Sequence, residues 1–448
     1  MSGDLSGPGW ALDRLRRAGS ELVFGEAFER ARSVFRATQW APAEAVRELQ
    51  WGWVRAILND AYEAGAFYRQ RLERAGWPRI SPDSFRQIPP LTRRDLEIYL
   101  QDVGRQRSWG RLRRTSGGSG GAAIAIPLDR ETYGWYIAGT RRGIGWWGAD
   151  LGEPAIVLLG GSRGSPQYML PKVAKDWVMN WRRAPVDDDF DGRAPQVLDD
   201  IERVGPAYLY GYPSAVHCLV RAVRDRGRGL RHRLTVIVLT GEPLYAFQRR
   251  TIEDAFQCPV AEEYGSGELG CMAFQCPQGG LHVTVENVFI EATAIAPSEA
   301  DHGGGILVTQ LRNRVFPLIR YDTGDAAVLT AVSCPCGRGL PTLRLLGRAQ
   351  DVAVNREGVV PVHSYMEQVF SLLPEHLCGR VRIANEAAGD IVLQVEQGIA
   401  SRADMARIAS LAADVFGSAW HARVAEVERF RRLPSGKLPY FLPIQVHA

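Results

Sequence analysis

The stretch LTVIVLTGE, residues 234–242, is the clearest indication of the fold. It is a short run of branched apolar residues followed directly by a polar turn, as expected of a buried strand. The same design recurs in AIVLLGG (155–161), AYLYGYP (207–213) and PVAEEYGSGE (259–268), and a helix-like stretch follows each run. Buried strands that alternate with helices predict an α/β fold with a doubly wound, mostly parallel sheet. The polar ends of the runs should lie at the carboxyl edge of that sheet, where such folds bind ligands. The alternative, a set of separate small domains, lacks evident linkers.

Two further patterns flank this core. From about residue 20 to residue 100, apolar residues recur at three-to-four spacing and predict helices. From His282 onward, strict alternation of apolar and polar residues predicts an antiparallel, β-rich, zinc-containing subdomain over about residues 270–345. We therefore expect one large domain over residues 1–350.

The last hundred residues predict a small C-terminal α+β domain over residues 351–448. The pattern indicates a hairpin at 380–395, an amphipathic helix at 402–416 and a strand at 422–430. Helix-period and strand-period segments of this length suit a compact unit beside the larger domain.

The composition of the 448 residues, 46% hydrophobic and 23% charged, provides a sizeable core. The sequence has no run of about 18 apolar residues and no basic-then-apolar leader. We therefore expect no membrane partner and a cytoplasmic location. The formal net charge of +4 is small and scattered, which argues against a nucleic-acid partner. The oligomeric state is open, with a homodimer as one alternative.

A glycine-rich segment, TSGGSGG at 115–121, precedes the first buried run. Backbone N–H groups can crowd an anion where no Cβ intervenes, and hydroxyl side chains add donors. The segment lacks the Lys-Ser/Thr of a Walker loop, and no strand directly precedes it as a dinucleotide fingerprint requires. Taken alone, it is equally an anion site or an ordinary flexible turn.

The seven cysteines carry an independent signal. An odd number without an export signal argues against a disulfide framework. Cys276-x5-His282 and Cys334-Pro-Cys336 form two pairs, and three thiolates with one imidazole suit a closed, structural zinc site. Cys271 is an alternative ligand to Cys276. Buried thiols without metal are the alternative to the site, and we expect that state for Cys218, Cys258 and Cys378.

Lysine is scarce, since only Lys172, Lys175 and Lys437 occur among the 54 lysines and arginines. A chain that uses arginine almost everywhere favours a special task for a lysine, one that needs a compact ammonium rather than a planar guanidinium. Lys437 follows Ser435-Gly436 near the C-terminus. It is either a catalytic cation or a solvated terminal lysine.

Six motifs follow one another along the chain: TSGGSGG (115–121), TGEPL (240–244), YGSGE (264–268), RYDTGD (320–325), LGRAQD (346–351) and SGK (435–437). This ordered set resembles the adenylate-forming superfamily of acyl-CoA synthetases, luciferases and peptide-synthetase adenylation domains. Within it, the chain looks most like the phenylacetate–CoA ligase family, in a divergent branch that resembles polysaccharide-locus enzymes. The resemblance runs from about residue 90 to the end.

The resemblance implies an ATP site. Residues of the first motif would hold the β- and γ-phosphates: Thr115, Ser116, Gly117, Gly118, Ser119 and Gly120. The other implied nucleotide ligands are Glu242 against the adenine, Tyr264 stacked on that base with Gly265 and Ser266 beside it, Asp325 on the ribose hydroxyls, and Arg348 near the ribose and the α-phosphate. Considered alone, Tyr264 is more often a core tyrosine and Asp325 a turn residue after glycine, so each gains its function only as part of the set.

The resemblance also implies the catalytic groups. Glu268 would bind Mg²⁺, although alone it would pass for a solvated helix residue. Lys437 would place its ammonium between the substrate carboxylate and the α-phosphate, where negative charge accumulates. Asp351 matches the hinge about which the small, mobile C-terminal domain would swing.

The implied substrate is a small carboxylic acid. The aromatic stretches YGWYIAGTRRGIGWW (133–147) and YGYPSAVH (210–217) lie where relatives line an acyl pocket, and they would suit an aromatic acid, with plain core packing as the alternative. The residues assigned to this pocket are Tyr136, Tyr212, Ser214 and Gly241.

The chain departs from the family pattern at three positions. Gly118 and Gly267 stand where relatives carry hydroxyls, and Asp322 stands where arginine is common.

The resemblance thus implies an ATP- and Mg²⁺-dependent ligase that forms an acyl-adenylate, releases pyrophosphate and passes the acyl group to a nucleophile. Coenzyme A is the first choice of acceptor, and an amine, giving an amide, is the second. A non-catalytic adenylate-binding protein is the alternative outside enzymes. The joint presence of Glu268, Asp325, Arg348 and Lys437 argues against it, because nucleotide binding without chemistry would not need the lysine.

Overall fold

The alternation of apolar runs and helix-like stretches gives strands that alternate with helices. The computed structural model describes residues 19, 23–104, 112–115, 124–150, 152–160, 169–293, 304–330, 333–348 and 351–444, and of residues 102–104, 112–115 and 169–172 it describes only the backbone. Its helices are α1 (Glu26–Thr38), α2 (Ala43–Ala64), α3 (Ala66–Arg74), α4 (Pro82–Phe85), α5 (Arg93–Gly104), α6 (Arg130–Gly145), α7 (Met169–Val178), α8 (Phe190–Val204), α9 (Pro213–Asp225), α10 (Ala246–Phe256), α11 (His363–Leu372) and α12 (Arg402–Phe416). No helix in this part of the chain combines the length and apolar character that a membrane crossing requires.

The strands are mostly short. They are β1 (Leu112–Thr115), β2 (Ala125–Leu128), β3 (Ala155–Leu158), β4 (Trp181–Arg183), β5 (Tyr208–Gly211), β6 (Val236–Thr240), β7 (Val260–Ser266), β8 (Gly270–Gln275), β9 (Leu281–Val283), β10 (Val288–Ala292), β11 (Gly304–Gln310), β12 (Tyr321–Thr330), β13 (Thr342–Arg348), β14 (Val352–Val354), β15 (Val359–Pro361), β16 (Val381–Ala387), β17 (Asp390–Glu396), β18 (His421–Val427) and β19 (Phe441–Leu442).

The described residues divide into two units. The first lies within Met1–Glu153, Gly164–Trp181 and Ala261–Leu345, and the second within Pro154–Arg163, Arg182–Val260 and Leu346–Ala448. The C-terminal α+β segment therefore shares a unit with strands β5 and β6. The domain boundary at residue 350 stays a prediction.

Helices and antiparallel strands build the first unit. Val54, Ile57 and Leu58 recur at helical spacing in α2 and are fully buried, so one face of this helix enters the core. The strands follow the order β10-β11-β12-β13-β9-β8-β7. Antiparallel pairing joins β10 to β11, β11 to β12, β7 to β8 and β8 to β9. The antiparallel pairing of strands, which the alternation of apolar and polar residues predicted, is thus confirmed.

The second unit contains the parallel strands predicted from the apolar runs at 155–161, 207–213 and 234–242. Strands β3, β5 and β6 are buried along their whole length and pair in parallel in the order β6-β5-β3. Parallel neighbours need a crossover, and helices α8 and α9 supply it. The carboxyl ends of the three strands consequently lead into Gly160, Tyr212 and Gly241 at one edge. The α/β prediction is confirmed.

The C-terminal segment is an α+β arrangement within the second unit. Strands β16 and β17 form an antiparallel hairpin, while β18 runs parallel to β17 and β19 parallel to β16. Helix α12 begins at a capping box, in which Ser401 accepts from the Asp404 N–H and the Asp404 side chain accepts from the Ser401 N–H. The hairpin and the helix match the prediction, and the strand ends at Val427 rather than at residue 430.

A buried histidine in α9 makes the stability of the second unit pH-dependent. The His217 ring packs against the Phe247 ring, with centroids 5.3 Å apart, and it leaves no room for a Cβ at Gly379. Burial, reinforced by nearby Arg221 and Arg224, lowers the pKa of His217 to about 3. The folded protein therefore holds His217 neutral at pH values where the unfolded chain is protonated.

We expect acid to destabilise the wild type through this residue. Because the folded pKa is depressed, stability is fully present above the unfolded pKa of about 6.5 and falls as the pH is lowered towards 3. Between pH 8 and pH 5, urea unfolding should show a loss about 2 kcal/mol larger for wild type than for His217→Gln. At pH 8 both side chains are neutral, so any difference there measures packing alone. Parallel pH profiles of the two proteins would contradict this assignment.

Candidate active site and metal centre

The predicted ribose and adenine ligands of the first unit lie in direct contact. The Tyr264 hydroxyl, on β7, donates a 2.7 Å hydrogen bond to Asp325 Oδ2, on β12. Within β12, just before Asp325, the Gly324 N–H donates to Asp322 Oδ1, and Gly324 takes a positive φ of 69°. Two motifs that are far apart in the chain therefore place one phenol and one carboxylate together.

Glu268 lies just beyond β7 and is 6% exposed. Its backbone carbonyl accepts hydrogen bonds from the Tyr136 hydroxyl and from Gln310 Nε2, both at 2.8 Å. Two buried side chains thus fix the backbone that carries the carboxylate. A carboxylate is the oxygen ligand that Mg²⁺ prefers, so the residue type and its fixed position suit the predicted ion.

The position of Tyr136 gives it a contact that the sequence did not reveal. Its ring packs against Gly270, where an added Cβ would lie 2.5 Å from the ring, and its hydroxyl holds the Glu268 carbonyl. Its place in an acyl pocket remains a prediction. The sequence pattern did not single out Gln310, although a glutamine at the end of the apolar run GILVTQ (305–310) is a usable signal.

In the second unit, Lys437 lies beside the carboxyl ends of the parallel strands. A Cβ built on Gly241, which follows β6 with a φ of 81°, would be 3.7 Å from Lys437 Cε and 2.9 Å from the Tyr212 ring. The Tyr212 hydroxyl donates to the Ser435 carbonyl at 3.1 Å. Burial raises the pKa of Tyr212 to about 12, which keeps this donor protonated.

Glu242 follows Gly241 and is engaged by protein donors. Its Oε2 accepts from the Ser214 N–H at 2.9 Å, and its Oε1 accepts from Ser214 Oγ at 2.9 Å and from the Leu438 N–H at 2.7 Å. Burial raises the pKa of Glu242, and the N–H donors together with Arg432 act in the opposite direction. Contact with an adenine stays a prediction for this residue.

Arg348 and Asp351 lie close together at the start of the C-terminal segment. The Asp351 N–H donates to the Arg348 carbonyl at 3.0 Å, and the Val362 N–H donates to the Asp351 carbonyl at 3.1 Å. Both residues line a small cavity with Tyr245 and His363. The hinge role of Asp351 remains a prediction.

The residues of the glycine-rich loop are only partly described. Thr115 ends strand β1, and Ser116, Gly117, Gly118, Ser119 and Gly120 lie outside the described residues. Gly265 and Ser266 end β7, where an added Cβ on Gly265 would lie 2.6 Å from the Gly270 carbonyl oxygen and Ser266 Oγ accepts from the Leu269 N–H.

The four predicted zinc ligands of the first unit converge. One ligand atom each from Cys276, His282, Cys334 and Cys336 lies within 4.8 Å of the others. The Cys276 and Cys334 sulfurs are 3.6 Å apart, and Cys336 Sγ is 3.2 Å from His282 Nε2. Ligands around tetrahedral zinc are separated by about 3.5–3.8 Å, so this donor set fits the ion.

A second contact orients the imidazole of this cluster. His282 Nδ1 lies 3.0 Å from the Leu340 carbonyl, and a hydrogen bond there leaves Nε2 directed at the sulfurs. Cys271 is outside the cluster, since its sulfur contacts the Ala273 carbonyl and Thr284 Oγ1 instead. Between the two alternatives drawn from the sequence, Cys276 joins the cluster.

Comparison with known proteins gives relatives among ligases. The chain is 25% identical over 364 residues to the phenylacetate-coenzyme A ligase of Thermus thermophilus, and the match covers 75% of the chain and 77% of that protein. It is 28% identical over 169 residues to protein CapK of Staphylococcus aureus, covering 36% of each. It is 33% identical over 125 residues to the indoleacetate–lysine synthetase of Pseudomonas savastanoi, covering 27% of the chain and 29% of that protein. No family model matches.

Solved structures with the same fold are adenylate-forming CoA ligases. A 2-hydroxyisobutyryl-CoA ligase in complex with an acyl-AMP superposes with a TM-score of 0.72 over 91% of both chains, at 18% identity. An anthranilate CoA ligase in complex with anthranoyl-AMP gives a TM-score of 0.52 over 73% of this chain and 65% of that one, at 16% identity. These structures establish the architecture, and the sequence relatives connect it to ligases.

Proposed function

We propose that this chain, a homologue of the adenylate-forming ligases, activates a carboxylic acid with ATP and transfers the acyl group to a nucleophile. A carboxylate oxygen of the acid attacks the α-phosphorus, the bond to the β-phosphate breaks, and pyrophosphate leaves. The acceptor then attacks the acyl carbon and AMP leaves. Dividing the reaction in this way replaces one difficult step by two easier ones.

The observation that carries the proposal is the position of Lys437. A lysine in a chain nearly devoid of lysine lies next to Gly241, at the carboxyl end of a parallel strand, which is the edge where open α/β sheets bind ligands. There its ammonium would balance the negative charge that develops on the phosphate oxygens and the attacking carboxylate. A guanidinium is too broad and planar to serve as such a point charge.

The first unit would supply the nucleotide ligands. Tyr264 would stack on the adenine, while Asp325, already an acceptor for the Tyr264 hydroxyl, would accept from the ribose. Glu268, whose backbone is held by Tyr136 and Gln310, would ligate Mg²⁺. When bound, that ion would neutralise charge on the phosphates.

The acceptor is proposed to be coenzyme A, with an amine as the second candidate. The relative that matches three quarters of the chain is named a coenzyme A ligase, whereas a shorter match is to a synthetase that joins indoleacetate to lysine. An aromatic acid is the first substrate class to examine, because one relative is named for phenylacetate and another for indoleacetate.

Zinc is proposed for the cluster of Cys276, His282, Cys334 and Cys336. Three sulfurs and one nitrogen complete the coordination of the ion and leave no position for a substrate. The role of the metal would therefore be structural. It would join the β8–β9 connection to the turn that precedes β13.

The test of the proposed function is pyrophosphate release from ATP and Mg²⁺ over a panel of aryl, aliphatic and amino acids, with hydroxylamine as a surrogate acceptor. We expect release with one class of acid, and that acid should then yield either a thioester with coenzyme A or an amide with an amine. If no acid of the panel supports pyrophosphate release, although the protein is folded and binds ATP, the adenylate-binding alternative is favoured.

A further inference from the structure

The turn that carries Lys437, residues 432–438, is seated on the edge formed by β3, β5 and β6. We call it the lysine turn, and we call the residues that contact it from that edge, Gly160, Glu242 and Ser214, its seat. It is closed internally by the Leu433 N–H, which donates to the Lys437 carbonyl at 2.8 Å, and by the Gly436 N–H, which donates to the Leu433 carbonyl at 2.7 Å. The turn is therefore a compact unit whose placement decides where the ammonium lies.

A contact between glycines forms one side of this seat. Gly160 follows β3, and a Cβ built there would overlap the Ser435 carbonyl and come 3.1 Å from the Gly436 nitrogen. Gly436 has a φ of 84°, and a Cβ on it would come within 2.8 Å of Gly160 Cα. The three nearest atoms to the added Gly160 methyl all belong to the lysine turn, so the absence of a side chain at Gly160 serves the docking of that turn.

A partly buried carboxylate forms the other side of the seat. Glu242 Oε1 accepts the N–H of Leu438, the residue directly after Lys437, while both Glu242 oxygens accept from Ser214 at the start of α9. A carboxylate that accepts hydrogen bonds inside the protein holds its donors more strongly than a neutral acceptor would. Glu242 thus connects the end of β6 to the lysine turn.

An arginine completes the attachment. Arg432 Nη1 donates to Ser214 Oγ at 2.8 Å and to the Gly436 carbonyl at 3.1 Å, and Nη2 lies 3.3 Å from Asp191 Oδ1. The backbone N–H of Arg432 donates to Asp188 Oδ1 at 2.6 Å. Its side chain is 4% exposed, so its bonds to Ser214 and Gly436 are partly shielded from competition with water.

We infer that Gly160, Glu242 and Ser214 are positioning residues for the ammonium of Lys437: they seat the lysine turn on the carboxyl edge of the parallel strands. The inference rests on the proposed function, because it assigns these residues to the adenylation step. Glu242 then acts on the reaction through the backbone of the residue next to the lysine. The requirement for glycine at Gly160 is steric, since the three described atoms nearest to its added methyl group all belong to the lysine turn.

Gly160→Ala is the direct test. Hydrogen exchange of peptides that contain the Leu438 amide should be at least tenfold faster in the variant than in wild type, because the seat no longer accepts the turn. Acid-dependent pyrophosphate release should fall at least tenfold, with ATP affinity unchanged within a factor of two. Gly192→Ala is the matched control, because nothing lies within 4 Å of a Cβ built on Gly192, and it should match wild type in all three measurements.

A double variant separates positioning from general damage. If Gly160 acts through Lys437, Gly160→Ala should reduce pyrophosphate release no further in a Lys437→Ala background. The inference would be overturned if the double variant lost pyrophosphate release by the product of the two single losses. Unchanged exchange at Leu438 in Gly160→Ala would also overturn it. If Gly160→Ala does not fold, Ser214→Ala replaces it, since it deletes the hydroxyl that joins Glu242 to Arg432, and it should accelerate the same exchange at least threefold.

The exchange measurement distinguishes the two proposals. A wild type that releases no pyrophosphate with any acid would contradict the proposed function. Faster exchange at Leu438 in Gly160→Ala would in that case still establish the seat as the device that holds Lys437. Equal exchange rates at Leu438 in wild type and in Gly160→Ala would refute the seat, whatever the rate of pyrophosphate release.

Discussion

Lys437→Ala should lower acid-dependent pyrophosphate release by about 10²–10³-fold, corresponding to about 3–4 kcal/mol of lost transition-state stabilisation. The ammonium is proposed to act on charge that develops during the attack on the α-phosphorus, so the ground-state complex should lose little. ATP affinity, measured by calorimetry, should stay near the wild-type value. Single-turnover assays with the best acid of the panel give the rate of the chemical step itself.

Two further variants sharpen this prediction. Lys437→Arg keeps the positive charge but replaces a compact ammonium with a planar fork, and it should remain at least tenfold below wild type. Arg431→Ala removes a charge from an exposed neighbour six residues earlier in the chain and should retain full activity. Activity of Lys437→Ala equal to that of wild type would refute the catalytic assignment, as would an equal loss in Arg431→Ala.

Features determined locally were predictable from the sequence. The apolar runs at β3, β5 and β6 identified buried parallel strands, because burial on both faces removes the alternation that other strands show. Ligand-type residues at short spacing identified the cluster of Cys276, His282, Cys334 and Cys336, because the two members of each pair are close in the sequence and need little tertiary information to meet. Helix α12 was predictable for the same reason, since its apolar period and its cap lie within one segment.

Features that depend on contacts between distant segments were not predictable. Tyr136 and Glu268 are 132 positions apart, and nothing in the local pattern shows that the phenol of one holds the carbonyl of the other. Arg432 looked like one more arginine in an arginine-rich chain, yet its bonds to Ser214 and Gly436 distinguish it. Gly160 appeared to end a strand, and its close approach to Ser435 becomes visible only when both backbones are placed.

The second large effect concerns the metal. Purified protein should contain about one zinc per chain, and Cys334→Ser should lose it together with about 3 kcal/mol or more of stability, because metal binding energy to a site absent from the unfolded chain is folding energy. The loss should extend to the N-terminal helices. Gly339 packs directly on the Ala41 carbonyl, and Arg338 lies between the rings of Trp40 and Trp146.

Cys271→Ser is the matched control for this prediction. Cys271 is as buried as Cys276 and lies only five residues before it, yet its sulfur contacts Thr284 and the Ala273 carbonyl outside the cluster. Its replacement should therefore retain the zinc, whereas Cys334→Ser should lose it. Elemental analysis gives the zinc content, and thermal unfolding with and without a chelator gives the coupling of metal to stability. A native protein that is free of metal and indifferent to chelators would refute the assignment, because three thiols and an imidazole in contact would then have been brought together by packing alone.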